Sequence, residues 1–263
     1  MKKFLVMLIA MISGAAVAQQ TQSAADLFQQ KNEVQPLSSM ACQSTFTSGS
    51  GQTYLSFCVT QNGNLGTFYS PSGYRQLYPG GEGYAICDWS NNNYSYRDFG
   101  LYGDSGNWLS STTVQPNGPN TFPLTIKRTT SDGVWTLTQV FSRNTNTPSV
   151  KITMTLRNNS GAGRAAYFER FADIDASGIS FNEFDGATAS VWGYQSGRNG
   201  LMMRESWPYG MGTWVLSGPP ADPCTLQQEG IPYLGDGTVL STWEHTVPAQ
   251  SSMTVSVEYR PID

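Results

Sequence analysis

Residues 122–157 read FPLTIKRTTSDGVWTLTQVFSRNTNTPSVKITMTLR. Phe122, Leu124 and Ile126 alternate with Thr125, Lys127 and Thr129. After the turn Ser131-Asp132-Gly133, Trp135, Leu137 and Phe141 alternate with Thr136 and Thr138. A second turn, Asn144 to Pro148, leads to Val150, Ile152, Met154 and Leu156 alternating with Lys151, Thr153, Thr155 and Arg157. Successive strand side chains point to opposite faces, so this period of two, joined by hairpin-length turns, predicts an antiparallel meander with one face buried and one wet.

The same punctuation extends both ways. Upstream, runs at 53–60, 64–70 and 83–89 are separated by Asn62-Gly63, Pro71-Ser72-Gly73 and Pro79-Gly80-Gly81, each a turn signal. The tract 91–120 is richer in Asn, Gly and Pro and reads as surface loops around short strands. Downstream, 188–194, 200–205 and 212–217 read as strands, and a proline-rich loop at 218–223 leads to Cys224. A last hairpin pairs 238–247 with 253–259. Short strands in this number predict an all-β chain, two large antiparallel sheets packed as a sandwich.

The N-terminus sets the compartment. Lys2 and Lys3 precede an apolar run from Phe4 to Ile12 that ends at Ala16-Val17-Ala18, the pattern of a cleaved secretory signal over residues 1–18. The run is too short for the roughly 20 residues of a spanning helix. Residues 19–50, rich in Gln, Ser and Thr, read as a polar tail with a short helical turn at 24–31, and 51–263 as a single domain. The expected location is secreted or periplasmic. Cys42, Cys58, Cys87 and Cys224 form no CxxC pair, and in an oxidising compartment an even, widely spaced set favours two disulfides over a metal site. Three pairings are open; loop economy favours Cys42 with Cys58 and Cys87 with Cys224. Without its signal the chain carries 13 Lys+Arg against 19 Asp+Glu. That acidity disfavours nucleic acid and anionic lipid as partners.

The order of these elements resembles that of the galactose-mutarotase-like β-supersandwich. The likeness is carried by Asn62-Gly63-Asn64-Leu65-Gly66, the turn Ser70-Pro71-Ser72-Gly73-Tyr74, the central meander and the acidic strand after it, over roughly 53–263. The resemblance implies an architecture shared by sugar epimerases, some polysaccharide lyases and accessory domains of glycoside hydrolases. Mutarotase-type enzymes pair a catalytic carboxylate with histidines. This chain has one histidine, His245, on the more apolar side of its strand, which reads as a packed rather than a catalytic group. No G-x-S-x-G elbow supports a Ser-His-Asp triad.

Candidate chemistry concentrates at 167–185, YFERFADIDASGISFNEFD. Alternation puts Tyr167, Glu169, Phe171, Asp173 and Asp175 on one face, and Ala166, Phe168, Arg170, Ala172 and Ile174 on the other, apolar one. The first row reads either as a carboxylate and aromatic platform for sugar or as a solvated strand face. Glu169, Asp173 and Asp175 are the candidate acid-base groups, and Tyr167, Glu169, Trp108 and Trp207 the candidate sugar contacts, since flat rings with polar tips suit a pyranose face. Asp173-x-Asp175-x-Ser177-Gly178 also repeats the front half of a calcium loop. With Glu183 it makes Asp173, Asp175, Ser177 and Glu183 a candidate calcium set; the alternative is an Asx-rich turn. Three functions follow: a carbohydrate-associated binding or surface protein, a sugar-active lyase, hydrolase or epimerase, or a structural envelope component.

Overall fold

The computed structural model describes residues 41–144, 147–187, 189–195, 199–206, 210–218, 222–225 and 231–262. The signal segment and most of the tail, together with Thr188 and Trp207, lie outside them. The described residues form sixteen strands: β1 (Cys42–Ser48), β2 (Leu55–Thr60), β3 (Leu65–Tyr69), β4 (Leu77–Asp88), β5 (Tyr94–Asp98), β6 (Thr112–Val114), β7 (Leu124–Thr129) and β8 (Trp135–Asn144), then β9 (Ser149–Asn158), β10 (Arg164–Ile174), β11 (Phe181–Ala187), β12 (Ser190–Tyr194), β13 (Gly200–Glu205), β14 (Gly210–Ser217), β15 (Tyr233–Val247) and β16 (Ser252–Ile262). No described helix is long and apolar enough to cross a membrane.

The meander forms as its alternation predicts: β7, β8 and β9 pair in sequence, antiparallel throughout. Pairing continues β5-β4-β10-β15-β11-β12-β13-β16-β9-β8-β7-β6, with β14 also on β15, while β1-β2-β3 form a small separate sheet. The path folds into two layers because the fifteen-residue β15 changes partner along its length. Its start, 233–236, pairs with β11, and 238–247 lie between β10 and β14. A strand that switches sheets is how sandwich corners are made. One continuous core fills the space between the layers, built from Trp135, Leu137, Phe141, Ile152, Phe168, Met203 and Trp243 among others, with Phe46, Phe57 and Phe68 of the small sheet against it.

Inside that core lies an ion pair. Arg170 and Glu82 are both fully buried and meet twice, at 2.5 Å and 2.9 Å. Glu82 also accepts from the Leu65 N–H at 2.6 Å and the Tyr259 hydroxyl at 2.7 Å, and Arg170 donates to Gln139 Oε1 at 2.5 Å and to the Gly63 carbonyl at 3.0 Å. Gly63 has φ +90°, and a Cβ there would stand 2.2 Å from Gln139 Nε2, so the carbonyl reaches Arg170 only from a glycine. A second pair, Arg128 and Asp98 at 2.5 Å, lies beside Tyr84.

Two expectations change. β1 occupies 42–48, inside the stretch read as polar tail, because the Cys42–Cys58 disulfide and pairing with β2 hold it. Pro79-Gly80-Gly81 is no turn but part of β4, where glycines admit close neighbours: a Cβ on Gly83 would fall 2.1 Å from the Asp98 carbonyl. The tract 91–120 holds short strands among its loops, as expected, and 94–98 pair with β4. The second disulfide joins Cys87 to Cys224, and two disulfides fit an oxidising compartment.

Removing one partner of a buried, fully bonded ion pair leaves an uncompensated charge. Arg170→Met is expected to cost about 3–5 kcal/mol, read as a fall in the urea midpoint, and Arg170→Met with Glu82→Met to recover much of it. Equal losses in the single and double variants would contradict this.

Candidate functional site

β10 is not an edge or a wet face. It lies between β4 and β15, and Tyr167, Glu169, Phe171 and Asp173 are all buried. Neither an open sugar platform nor a solvated strand describes this row, because both faces of β10 are covered. The face opposite the main core carries its own cluster: Phe171 packs edge-on against Phe99, with ring centroids 5.0 Å apart, beside Ala85, Leu216 and Leu240, with Tyr102 and Trp214 against them.

Register explains where Glu169 sits. Directly paired residues share a face, so one row across the sheet runs Arg97, Ala85, Glu169, Thr242, Gly212. Small residues flank Glu169 here, Ala85 on one side and Gly212 beyond Thr242 on the other, between taller rows. One tall row is the Phe99, Phe171, Leu240 and Trp214 ridge. The other holds Cys87, Tyr167 and Glu244, with the Trp89 ring stacked 6.1 Å from Tyr167 and exposed at the rim. The register thus sets Glu169 in a low row, a hollow between two taller ones, where it is covered and 3% exposed. Thr242 is tied down, donating to the Gly212 carbonyl at 3.2 Å and accepting from the Trp214 indole at 3.1 Å.

The Cys87–Cys224 disulfide anchors the segment that carries Asp222, whose Oδ1 accepts from the Cys224 N–H at 3.0 Å. Burial, and then the Asp222 charge, push the Glu169 carboxyl up to about 8, while Arg97 pulls the other way across Ala85. At neutral pH Glu169 is therefore a neutral acid, able to donate and accept. Among the described residues its Oε1 closes no hydrogen bond, and the Tyr167 hydroxyl faces Thr242 without closing one. Buried polar atoms almost always find a partner, so these two mark a place for water or a ligand. Glu205, at the end of β13, is a second buried acid, pushed up to about 7 by burial; the Thr242 N–H pulls it down without closing a hydrogen bond. It acts on the Tyr167 hydroxyl as well, so it lies next to the Glu169 row.

The remaining candidates fall elsewhere. Trp108 is buried, edge-on to Tyr84 and Tyr96, with Arg128 5.1 Å from its ring centre and its N–H given to the Arg97 carbonyl. Its ring is packed structure, not a sugar platform. Trp207 lies outside the described residues. His245 is half-buried, opposite Ala166. Asp173 and Asp175 come together with Asp236 rather than with Glu183, which lies across from Tyr194. Ser177 sits in the turn after Asp175. That turn is held by Asn182, whose Oδ1 accepts from the Ala176 N–H and whose amide donates to the Ile174 and Ile179 carbonyls. Arg97, Thr242, Asp222, Glu205 and Asp236 were not visible as site residues. Asp222 had one signal, its place two residues before a disulfide cysteine.

The all-β, two-layer fold resembles the galactose-mutarotase-like supersandwich. Among solved structures, the fold is similar to a bacterial glucoamylase complexed with acarbose, with a TM-score of 0.61 and 11% identity over 86% of this chain and 33% of that one. The chain thus spans about a third of the glucoamylase. It is similar over 83% of its length to a candidate aldose 1-epimerase from Escherichia coli K12, covering 99% of that chain with a TM-score of 0.51 and 12% identity. Over 82% it is similar to the Slr1438 protein from Synechocystis sp. PCC 6803, covering 95% of that chain with a TM-score of 0.50 and 10% identity. At such identities the likeness is one of fold. No protein-family model and no curated protein matches the sequence.

A carboxyl with a raised folded-state value holds a proton that the unfolded chain has released between 4.5 and about 8, so its contribution to stability is full below 4.5 and is lost as pH rises through 8. The urea midpoint is expected to fall from pH 5 to pH 9. Glu169→Gln should remove most of the fall above pH 7, about 1 kcal/mol per pH unit, leaving the smaller part that Glu205 supplies as it finishes titrating. A wild-type midpoint that is flat above pH 7 would show that Glu169 titrates normally.

Proposed function

We propose that this chain is an exported, carbohydrate-associated protein that takes a neutral sugar at the hollow floored by Glu169. The observation that carries this is the neutral, buried Glu169 carboxyl with an unfilled Oε1, set in a row of small residues. Sugar hydroxyls both donate and accept, and a protonated carboxyl matches them without the desolvation cost of a charge. The Tyr167 hydroxyl, two positions along the same face, offers a second contact, and Trp89 at the rim a flat apolar surface. The fold shared with a glucoamylase and a candidate aldose epimerase supports a carbohydrate partner, and the two disulfides support export.

The second reading is a sugar-active enzyme, favoured by one feature: a carboxyl raised to about 8 is a proton donor at neutral pH, as general acids in glycosidic chemistry are. With one histidine in the chain, a two-histidine mutarotase arrangement is not available.

Titration of intrinsic tryptophan fluorescence with neutral mono- and oligosaccharides tests both readings. A saturable change is expected, because Trp89 and Trp214 flank the hollow, and Glu169→Leu should weaken it by about tenfold, the scale of one lost hydrogen bond to a site that keeps its other contacts. Glu169→Gln keeps a neutral polar group and should keep binding; if the chain is an enzyme, it should lose turnover. Silence across neutral and acidic glycans would overturn the sugar reading altogether.

A further inference from the structure

Where β10 runs out, the register gathers four oxygen-bearing side chains on one patch. Asp173 pairs directly with Thr238. Asp175 follows at the end of β10, and Asp236 lies two residues before Thr238 in β15. One carboxylate oxygen each from Asp173, Asp175 and Asp236 lies within 4.8 Å of the others. Like charges at neighbouring cross-strand positions repel, and the first two residues are buried, where that repulsion is least screened. Arg75 brings one positive charge, 3.4 Å from Asp175, and the Tyr102 hydroxyl donates to Asp173.

Thr238 supplies an independent observation. Its side chain is 1% exposed, stands opposite Asp173 on the same face, and its Oγ1 has no hydrogen-bond partner among the described residues. A buried hydroxyl beside three acids would ordinarily donate to one of them, so an unpartnered one is accounted for by an acceptor of its lone pairs. The Ser177 hydroxyl, in the turn that follows Asp175, is unpartnered as well.

We propose that Asp173, Asp175, Asp236 and Thr238 form a calcium site, with Ser177 at its margin. All the donors are oxygen, which suits a hard cation and not zinc, and calcium tolerates irregular geometry where magnesium demands an octahedron. Oxygens on opposite sides of a calcium ion, each about 2.4 Å away, are about 4.8 Å apart, so oxygens that all lie within 4.8 Å of one another can share one ion. The ion would cancel the repulsion among the acids and pin the end of β10 to β15. The Phe171 ridge separates this patch from the Glu169 hollow, so the two proposals stand independently.

The test is calcium titration of the EDTA-treated full-length protein, by calorimetry and by thermal unfolding. One calcium per chain is expected, with a Tm raised by calcium, lowered again by EDTA and less affected by equal magnesium. Asp236→Asn, at a half-buried position, should fold, and Thr238→Val removes no hydrogen bond and should keep the calcium-free Tm. Each should weaken calcium binding by at least the roughly tenfold that loss of an outer partner costs. An absence of binding heat with an unchanged wild-type Tm overturns the proposal, and so does wild-type affinity in both variants.

Discussion

The buried pair of Arg170 and Glu82 is the constraint on which the rest of the molecule depends. A guanidinium and a carboxylate out of water are tolerated only if nearly every donor and acceptor is met. Meeting them takes Leu65 of β3, Gln139 of β8, Tyr259 of β16 and the Gly63 carbonyl, besides β4 and β10 themselves. The pair therefore fastens both layers and the small sheet at one point. Apolar packing alone would accept many near-equivalent arrangements of a β-sandwich core, whereas this set of bonds accepts one. It also fixes the register of β10, since a slip of one residue would turn Arg170 out of the core and Glu169 into it.

The site follows from that register. With Arg170 held inward, alternation sends Tyr167, Glu169, Phe171 and Asp173 to the opposite face. What each becomes is decided by its row in the sheet. Glu169 meets alanine and, past Thr242, glycine, and is left in a hollow; Phe171 meets Leu240 and Trp214 and builds a ridge; Asp173 meets Thr238 at the end of the strand, beside Asp175 and Asp236. One strand thus carries two polar centres of different character. The first is a neutral acid made so by burial and by the Asp222 charge. The second is a group of acids around an unpartnered hydroxyl.

The fold was legible where burial is one-sided. Alternation in β7 to β9 reports a half-wet sheet directly, and the cysteine spacings gave the observed pairing. Legibility failed where a strand is buried on both faces, since both sets of side chains then escape the polar and apolar rule. Glu169 and Asp173 looked like solvent-facing acids for that reason, and Pro79-Gly80-Gly81 looked like a turn, although within the strand Gly81 lies close against Asp173. The site was half visible. Residues from β10 stood out as an acidic run, but Arg97, Thr242, Asp236 and Thr238 reach it through pairings between segments distant in sequence, and no local pattern encodes those. Trp108 misled because polar loop neighbours do not reveal that Tyr84, Tyr96 and Arg128 close around its ring.

The central claim is that β10 presents Glu169 as a neutral acid in a ligand-ready hollow. Carboxyl carbon NMR of protein labelled at its glutamate side chains tests it most directly, with Glu169→Gln identifying the resonance. A Glu169 signal that stays protonated through neutrality, titrates near pH 8 and moves when sugar is added is expected. A Glu169 signal titrating near 4.5, as an exposed glutamate does, and indifferent to sugar would contradict it.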